Sequence, residues 1–305
     1  MMTQTILTKP YNYFSLEEYI KNINLNDITL SRSEEINNQF DDYINTLKKY
    51  DARAIFYFLV SSFEHEVIDS NLMEKHLISP LEINKHNILY DTFKISHKRI
   101  KDIHDFATKH EVNYDYRDSE VRVSSINPHT KHETIFWYGA KPEDIKTFID
   151  DFIEIYRKTS PSAIHSNPFI KSALIHLLMV RIHPFSDGNG RTARLLHSMK
   201  FTEMINKIYN YNLKVAPLHI SPSLYRYQHN YVHAIDQIHF GLDKNIDEEI
   251  NHWFQFILNR YEDQLFYMSN LLKTQERTLD NIANLPCEND DLETFALRRF
   301  KKTTP

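Results

Sequence analysis

His183-Pro184-Phe185-Ser186-Asp187-Gly188-Asn189-Gly190-Arg191-Thr192-Ala193-Arg194 is the stretch on which the reading of this chain turns. The 305 residues include only four glycines, and two of them flank Asn189 in this string. Glycine reaches left-handed torsions that side chains resist. A Gly-Asn-Gly turn between two helices is therefore expected, with successive amides turned inward as a nest for an anion. The string also supplies an imidazole, a carboxylate and a guanidinium. Arg194 places a second guanidinium on the helix face of Arg191, and the amino end of a helix favours anions as well. This is equipment for a polyphosphate and its metal ion. His183 suits a general base near neutral pH. Asp187 suits Mg²⁺, which takes one or two carboxylates plus substrate phosphates. Gly188, Asn189 and Gly190 offer amides, and Asn189 adds its side chain. A bare Gly-Asn-Gly would serve as a tight connector, and either arginine as a surface charge; the full set in one string is what points to chemistry.

Working outward, Phe169 to Ile182 is apolar nearly all round and predicts a central buried helix running straight into His183. Beyond the turn, Leu195, Leu196, Met199, Met204, Ile205 and Ile208 predict a second core helix. Ile145, Phe148, Ile149, Phe152, Ile153 and Tyr156 form one apolar stripe, and Trp253, Phe254, Phe256, Ile257 and Leu258 mark another helix. Starts are signalled by Ser15 with Glu18, stapled by Phe14 and Tyr19, and by Ser79-Pro80, Asn167-Pro168 and Ser221-Pro222. Lys141-Pro142-Glu143-Asp144 puts acids in a first turn. Glu120-Val121-Arg122-Val123 and Thr134 to Tyr138 read instead as two short strands around a polar tip. A lone hairpin in a helical protein leaves edges open to a partner strand.

Composition sets the outer limits. Charged residues are 25% and hydrophobic ones 41%, the net charge is −5 and the pI about 6.4. That describes a globular protein without the basic field expected of a nucleic-acid binder. The single cysteine, Cys287, allows no internal disulfide and fits a reducing compartment. No signal peptide or membrane span is apparent. The expected location is the cytoplasm, with export as an effector left open, and no nucleic acid or membrane is expected as partner. His229 and His233 stand four apart, but Asn230 sits where a helical zinc protease needs glutamate. His176 fits a hydrogen-bonded core histidine and His197 a helix surface.

The string HPFSDGNGRTAR resembles the Fic signature HxFx(D/E)GNGRxxR and matches it at every fixed position. Tyr116-Arg117, Val121-Arg122-Val123 and Lys141-Pro142 are similar to that family's flap and the helix after it. Ser221 to Tyr231, Gly241 and Trp253-Phe254 resemble its later helices more loosely. The resemblance covers roughly half the chain, from about Ser96 to Leu258. It implies an all-α fold, a helical core with a short β-hairpin flap. The expected division is an N-terminal helical region over 1–85, a catalytic core over 86–262 and a helical or polar tail over 263–305.

The resemblance also implies an activity: transfer of AMP from ATP to a hydroxyl of a target protein, with release of pyrophosphate. His183 would deprotonate a Ser, Thr or Tyr hydroxyl. Asp187 would hold Mg²⁺, and Phe185 would anchor the loop in the core. Gly188, Asn189 and Gly190 would cradle phosphates. Arg191 would meet the β-phosphate region and Arg194 the γ-phosphate. The target would pair with the flap, about Val121 to Tyr138. Tyr225 and Tyr231 would flank adenine by the same analogy, although each also fits a core position. A homodimer is compatible with the resemblance. Ser62-Phe63-Glu64-His65-Glu66-Val67 is similar to the inhibitory pattern (S/T)xxxE(G/N), departing at Val67. It implies that Glu66 pairs with Arg194 and occupies the γ-phosphate site; the same glutamate can support AMP removal in relatives. Rival readings are a transferase of the same fold using another donor (phosphate, UMP or phosphocholine) and a non-catalytic nucleotide-sensing regulator.

Overall fold

The computed structural model describes residues 10–74, 93–108, 112–127, 129–238 and 247–283. Its helices are α1 (Leu16–Lys21), α2 (Asp27–Leu47), α3 (Ala52–Leu72), α4 (His97–Thr108), α5 (Ile145–Arg157), α6 (Ala163–Ser166), α7 (Pro168–Ile182), α8 (Asn189–Tyr209), α9 (Ser221–Arg226), α10 (Gln228–Asp236), α11 (Asp247–Thr274) and α12 (Glu276–Ala283). Between α4 and α5 lie β1 (Arg122–Ile126) and β2 (Glu133–Tyr138), followed by a 3-10 turn over Pro142–Asp144. The all-α class with one hairpin is observed as expected.

The start of α7 shows how the sequence makes these elements. Asn167 Oδ1 accepts from the amides of Phe169 and Ile170 at 3.0 and 3.1 Å, and Pro168 opens the helix. Every residue of α7 is buried, including Lys171, Ser172, His176 and Arg181. The buried polar groups find partners: His176 Nε2 lies 2.8 Å from the Tyr231 hydroxyl, and Lys171 donates to the Ile155 carbonyl at 2.6 Å, in the last turn of α5. Trp253 of α11 donates to the Ala173 carbonyl at 3.1 Å, pinning α11 across α7. The helix α1 carries its expected cap, with Ser15 Oγ accepting from the Glu18 amide and the Phe14 and Tyr19 rings 5.8 Å apart.

The buried apolar side chains, from Tyr11 to Ile282, form one core in which N-terminal and C-terminal helices share. The division expected at 262/263 falls inside α11, one continuous helix, and so marks no break here. Ile208, expected in the core, is 55% exposed, although Ile205 and Tyr209 of the same turn pack inward. Ser221 starts α9 rather than capping it; the cap position is Ile220. The start expected at Ser79-Pro80, and Gly241 and Cys287, lie outside the described residues.

The hairpin is the one sheet among the described residues. Arg122 faces Tyr138, Val123 faces Trp137, and Ser124 faces Ile135, so Phe136 is the extra residue of a bulge. A bulge bends the strand and sharpens its twist. The turn is closed by Asn127, whose side-chain oxygen accepts from the amides of His129 and Thr130. Trp137 alone in β2 is buried, with the Arg181 guanidinium 5.5 Å over its ring.

Candidate active site

The string of the opening paragraph is the connection between α7 and α8. His183 ends α7 in the left-handed region (φ 54°, ψ 58°), its amide still bonded to the Met179 carbonyl at 3.1 Å. Gly188 starts α8 at φ 74°. A Cβ there would come within 2.3 Å of Thr108 Cγ2 and 3.0 Å of the His104 ring, so both torsion and space exclude a side chain. The turn is thus left-handed at His183 and Gly188. Asn189 and Gly190 already belong to α8, and their amides are first-turn donors with no carbonyl one turn back.

Asn189 departs from its expected part. Its side chain donates to the Phe185 carbonyl at 2.8 Å and accepts from the Phe185 amide at 2.9 Å. That reciprocal pair commits the side-chain oxygen and one N–H of Asn189 to holding the loop. Phe185 is fully buried, as expected, and stacks face to face on His104 with ring centroids 3.6 Å apart and planes 3° from parallel. His104 in turn lies 3.1 Å from Thr192 Oγ1. Burial pushes the His104 pKa down to about 4, which keeps the stacked ring neutral.

His183 has a fixed tautomer. Its Nδ1 sits 3.1 Å from the Val180 carbonyl, which can only accept, so Nδ1 carries the hydrogen and Nε2 keeps its lone pair. Desolvation pushes the His183 pKa down to about 4, and the nearby Arg117 guanidinium acts in the same direction. The ring is therefore a neutral imidazole with a free basic nitrogen throughout the physiological range. Asp187 is well exposed, its Oδ1 accepting from the Gly188 amide at 2.6 Å and its Oδ2 3.4 Å from Arg191.

The regulatory assignment is corrected by the structure. Glu66 does not pair with Arg194. It is fully buried at the start of α9, accepting from the Ser221 amide at 2.8 Å, the Ser221 hydroxyl at 2.7 Å and the Ser198 hydroxyl at 3.3 Å. Burial raises its pKa to about 7 against the pull of those donors. Ser62 points to α11, its hydroxyl 3.4 Å from Met268 Sδ. The carboxylate beside Arg194 is Glu74, 3.0 Å from Nη2, just beyond the end of α3. Ser70 completes the contact: Arg194 Nε donates to Ser70 Oγ at 2.7 Å and Nη2 to its carbonyl at 2.8 Å. Ser70-Asn71-Leu72-Met73-Glu74 has the same serine-to-glutamate spacing as Ser62 to Glu66, one copy further along the helix, followed by Lys75. The stretch from Ser62 to Glu74 holds this spacing twice, and it is the glutamate of the second copy that lies beside Arg194. Burial works against the Arg194 charge, but Glu74, Tyr231 and Glu66 together raise its pKa.

Four further placements bear on a nucleotide. Arg194 Nη1 is buried and has no hydrogen-bond partner among the described residues. At Gly190, a Cβ would stand 2.7 Å from Glu74 Oε1 and 3.1 Å from that same Nη1, so the glycine keeps open the space where an anion meets the guanidinium. Tyr231 is removed from the adenine role: it is buried, its hydroxyl on His176 and its ring against Trp253. Tyr225 is 42% exposed on α9. Residues not singled out as site residues in the sequence also converge here, namely His104, Arg117, Ser70 and Glu74. His104 and Arg117 act through backbone and ring contacts that no spacing announces.

Residues 94–199 match the model of the Fic/DOC family. The chain carries a Fic segment. It is 38% identical over 81 residues to the protein adenylyltransferase Fic of Nematostella vectensis, an alignment covering 27% of this chain and 16% of that one. It is 40% identical over 55 residues to protein adenylyltransferase fic-1 of Caenorhabditis elegans, covering 18% and 10%. The chain thus spans only a sixth or less of the curated relatives it matches. The fold reaches further. A Fic family protein from Desulfovibrio desulfuricans superposes with a TM-score of 0.54 over 83% of this chain and 77% of its own, at 13% identity. A Fic domain containing signaling protein from Bacteroides thetaiotaomicron gives 0.55 over 80% and 98%, at 14% identity. The Fic fold therefore extends to helices on both sides of the matched segment.

Proposed function

We propose that this protein transfers AMP from ATP to a hydroxyl of a target protein, and that Glu74 holds it in check. The observation that carries the reading is the fixed tautomer of His183, a neutral imidazole with Nε2 free, at the mouth of a phosphate-binding turn. Nε2 takes the proton of a Ser, Thr or Tyr hydroxyl. The oxygen attacks the α-phosphorus, the bond from that phosphorus to the bridging oxygen of the β-phosphate breaks, and pyrophosphate leaves. The amides at the start of α8 and the Arg191 and Arg194 side chains take the phosphates. The unpartnered Arg194 Nη1 and the space kept by Gly190 suit such a ligand.

Asp187 suits Mg²⁺, a cation that prefers one or two carboxylates with substrate phosphates making up the shell. When bound, the ion neutralises phosphate charge. Among the described residues no cluster of three or more metal-ligating side chains stands ready without a nucleotide. Tyr225 is the remaining candidate to border adenine. The flap over Arg122–Tyr138 offers edges to a target strand. Among the described residues no helix is long and apolar enough to cross a membrane.

Glu74 inhibits by mass and charge. A carboxylate on Arg194 competes with the terminal phosphate for one guanidinium, so ATP enters only in a pose that spares Glu74, with its α-phosphorus away from His183. The experiment is incubation with ATP labelled at the α-phosphate. Label on the protein or on a lysate protein, abolished by His183→Ala, supports the reading. Label that arrives only from the γ-phosphate moves the assignment to a phosphate-transferring relative.

A further inference from the structure

The flap and His183 are joined by one side chain that the mechanism does not use. Arg117 is buried, 6% exposed, and its guanidinium bonds three main-chain carbonyls on three segments. Nε donates to His183 at 2.7 Å, Nη1 to Ser119 at 2.6 Å, and Nη2 to Ala140. Its own amide donates to the Pro184 carbonyl at 2.9 Å. Ser119 and Ala140 are the two roots of the hairpin, below β1 and above β2. The Gly139 amide closes the roots on the Val121 carbonyl at 3.2 Å, and the Ala140 amide reaches the Ile182 carbonyl at 3.1 Å.

Burying a cation without a carboxylate is costly, and a neutral donor would stitch one carbonyl more cheaply. Guanidinium differs in holding several donors in one rigid plane. Here that plane fixes the His183 carbonyl, which the left-handed torsion has turned out of the α7 ladder, relative to both flap roots. Gly139 gives a second, independent sign of the same closeness. A Cβ there would lie 2.6 Å from Arg117 Nη2 and 3.0 Å from His183 Cβ, so the flap root lies directly on the residue that carries the base.

We propose that Arg117 is a positioning residue that couples the flap to His183, so that a target strand seated on the flap and the imidazole are held in one register. The coupling rests on the adenylyltransferase reading for its purpose, and on the hydrogen bonds alone for its existence. The charged groups acting on the ring are Arg117, Glu74 and Asp187, and of these only Arg117 disfavours the protonated ring.

The test uses the full chain with Arg117→Ala and Arg117→Lys, each also combined with Glu74→Gly. In the Glu74→Gly background, loss of the fork is expected to lower kcat for AMP transfer by about 30- to 100-fold, the scale of a misplaced catalytic group, with KM for ATP unchanged within about twofold. Lysine keeps the charge and loses the fork, so it is expected to leave kcat low while returning the His183 titration, followed by NMR of labelled imidazole, towards that of the parent. Arg117→Ala is expected to move that titration upward. An unchanged kcat and an unchanged titration in either variant overturn the coupling. If the parent and Glu74→Gly proteins transfer no AMP, the functional reading falls, and hydrogen exchange of the Gly139 and Ala140 amides at the flap root decides the coupling: faster in Arg117→Ala and Arg117→Lys supports it, unchanged overturns it. If Arg117→Ala does not fold, the lysine variant decides by kcat: parent-like turnover overturns the coupling, and low turnover with unchanged KM supports it.

Discussion

Glu74 and Arg194 form an ion pair of 3.0 Å across the start of α8, with the guanidinium fully buried and the carboxylate about one third exposed. The asymmetry means that Glu74 can leave for water whereas Arg194 cannot follow. Whatever displaces the carboxylate inherits a desolvated cation with strong donors already aimed.

Removing Glu74 therefore frees the site without dismantling it. Glu74→Gly is expected to raise AMP transfer by about tenfold or more, measured with α-labelled ATP. Glu66→Gly is expected not to raise it. A rise in the second variant and none in the first would return the inhibitory role to Glu66.

Glu66 matters to stability instead. It satisfies the Ser221 amide and hydroxyl and the Ser198 hydroxyl, all in the interior. Glu66→Ala leaves these groups orphaned, which costs about 2 kcal/mol and lowers Tm by roughly 3 °C in a chain of this size. Calorimetry or circular dichroism checks it; an unchanged Tm would mean that water replaces the carboxylate at no cost.

The two pattern glycines separate by the same kind of argument. Gly188 needs its left-handed torsion and lies against Thr108. Gly188→Ala is expected to lose about 1–3 kcal/mol and to show it as a lower Tm. Gly190 is helical, and its imagined Cβ meets only the flexible end of Glu74 and one nitrogen of Arg194. Gly190→Ala is expected to keep or raise Tm, since alanine is the better helix former by about 1 kcal/mol, while weakening nucleotide binding by about tenfold. Equal losses of stability in both variants would contradict the assignment of open space at Gly190 to a ligand.

These contrasts also mark where the sequence was legible. Glycine scarcity, the nearly all-apolar run of α7 and its Asn167-Pro168 start follow from local physics, and so the turn and the helix appear in the structure where expected. The Glu66 assignment failed for an equally physical reason. Spacing on one helix fixes which residues share a face, not how far along the axis a partner from another helix sits, and eight residues amount to roughly 12 Å of rise. Tyr231 failed likewise, because aromatic residues read alike whether they line a ligand or the core. Arg117 was legible only as part of the flap resemblance and not as a tie to His183, since bonds to main-chain carbonyls demand nothing of the partner's residue type.

The pH dependence of stability follows from the buried imidazoles. His104, His165 and His183 are pushed down to about 4 and His197 and His219 to about 3, in each case first by desolvation, and burial likewise holds His176 well below the ordinary imidazole value. In the unfolded chain each titrates near 6.5. Their folded values are depressed, so the unfolded state binds protons that the native state refuses as pH falls below about 6.5. Stability is complete above that point and falls by up to ~1.4 kcal/mol per pH unit for each such histidine towards pH 4. Glu66 runs the other way. Its folded value is raised to about 7 from an ordinary 4.5, so its contribution is whole below the lower figure and is lost as pH rises through about 7. Tm is therefore expected to be level above about pH 7 and to fall steeply between 6 and 4, with Glu66 opposing part of that fall between 4.5 and 7. Glu66→Gln is expected to steepen the acid-side fall between 7 and 4.5 and to leave the level region above 7 unchanged. A Tm that stays level from pH 7 down to 4.5 would show that these rings are not held neutral in the folded chain, and with them would go the basis for a neutral His183.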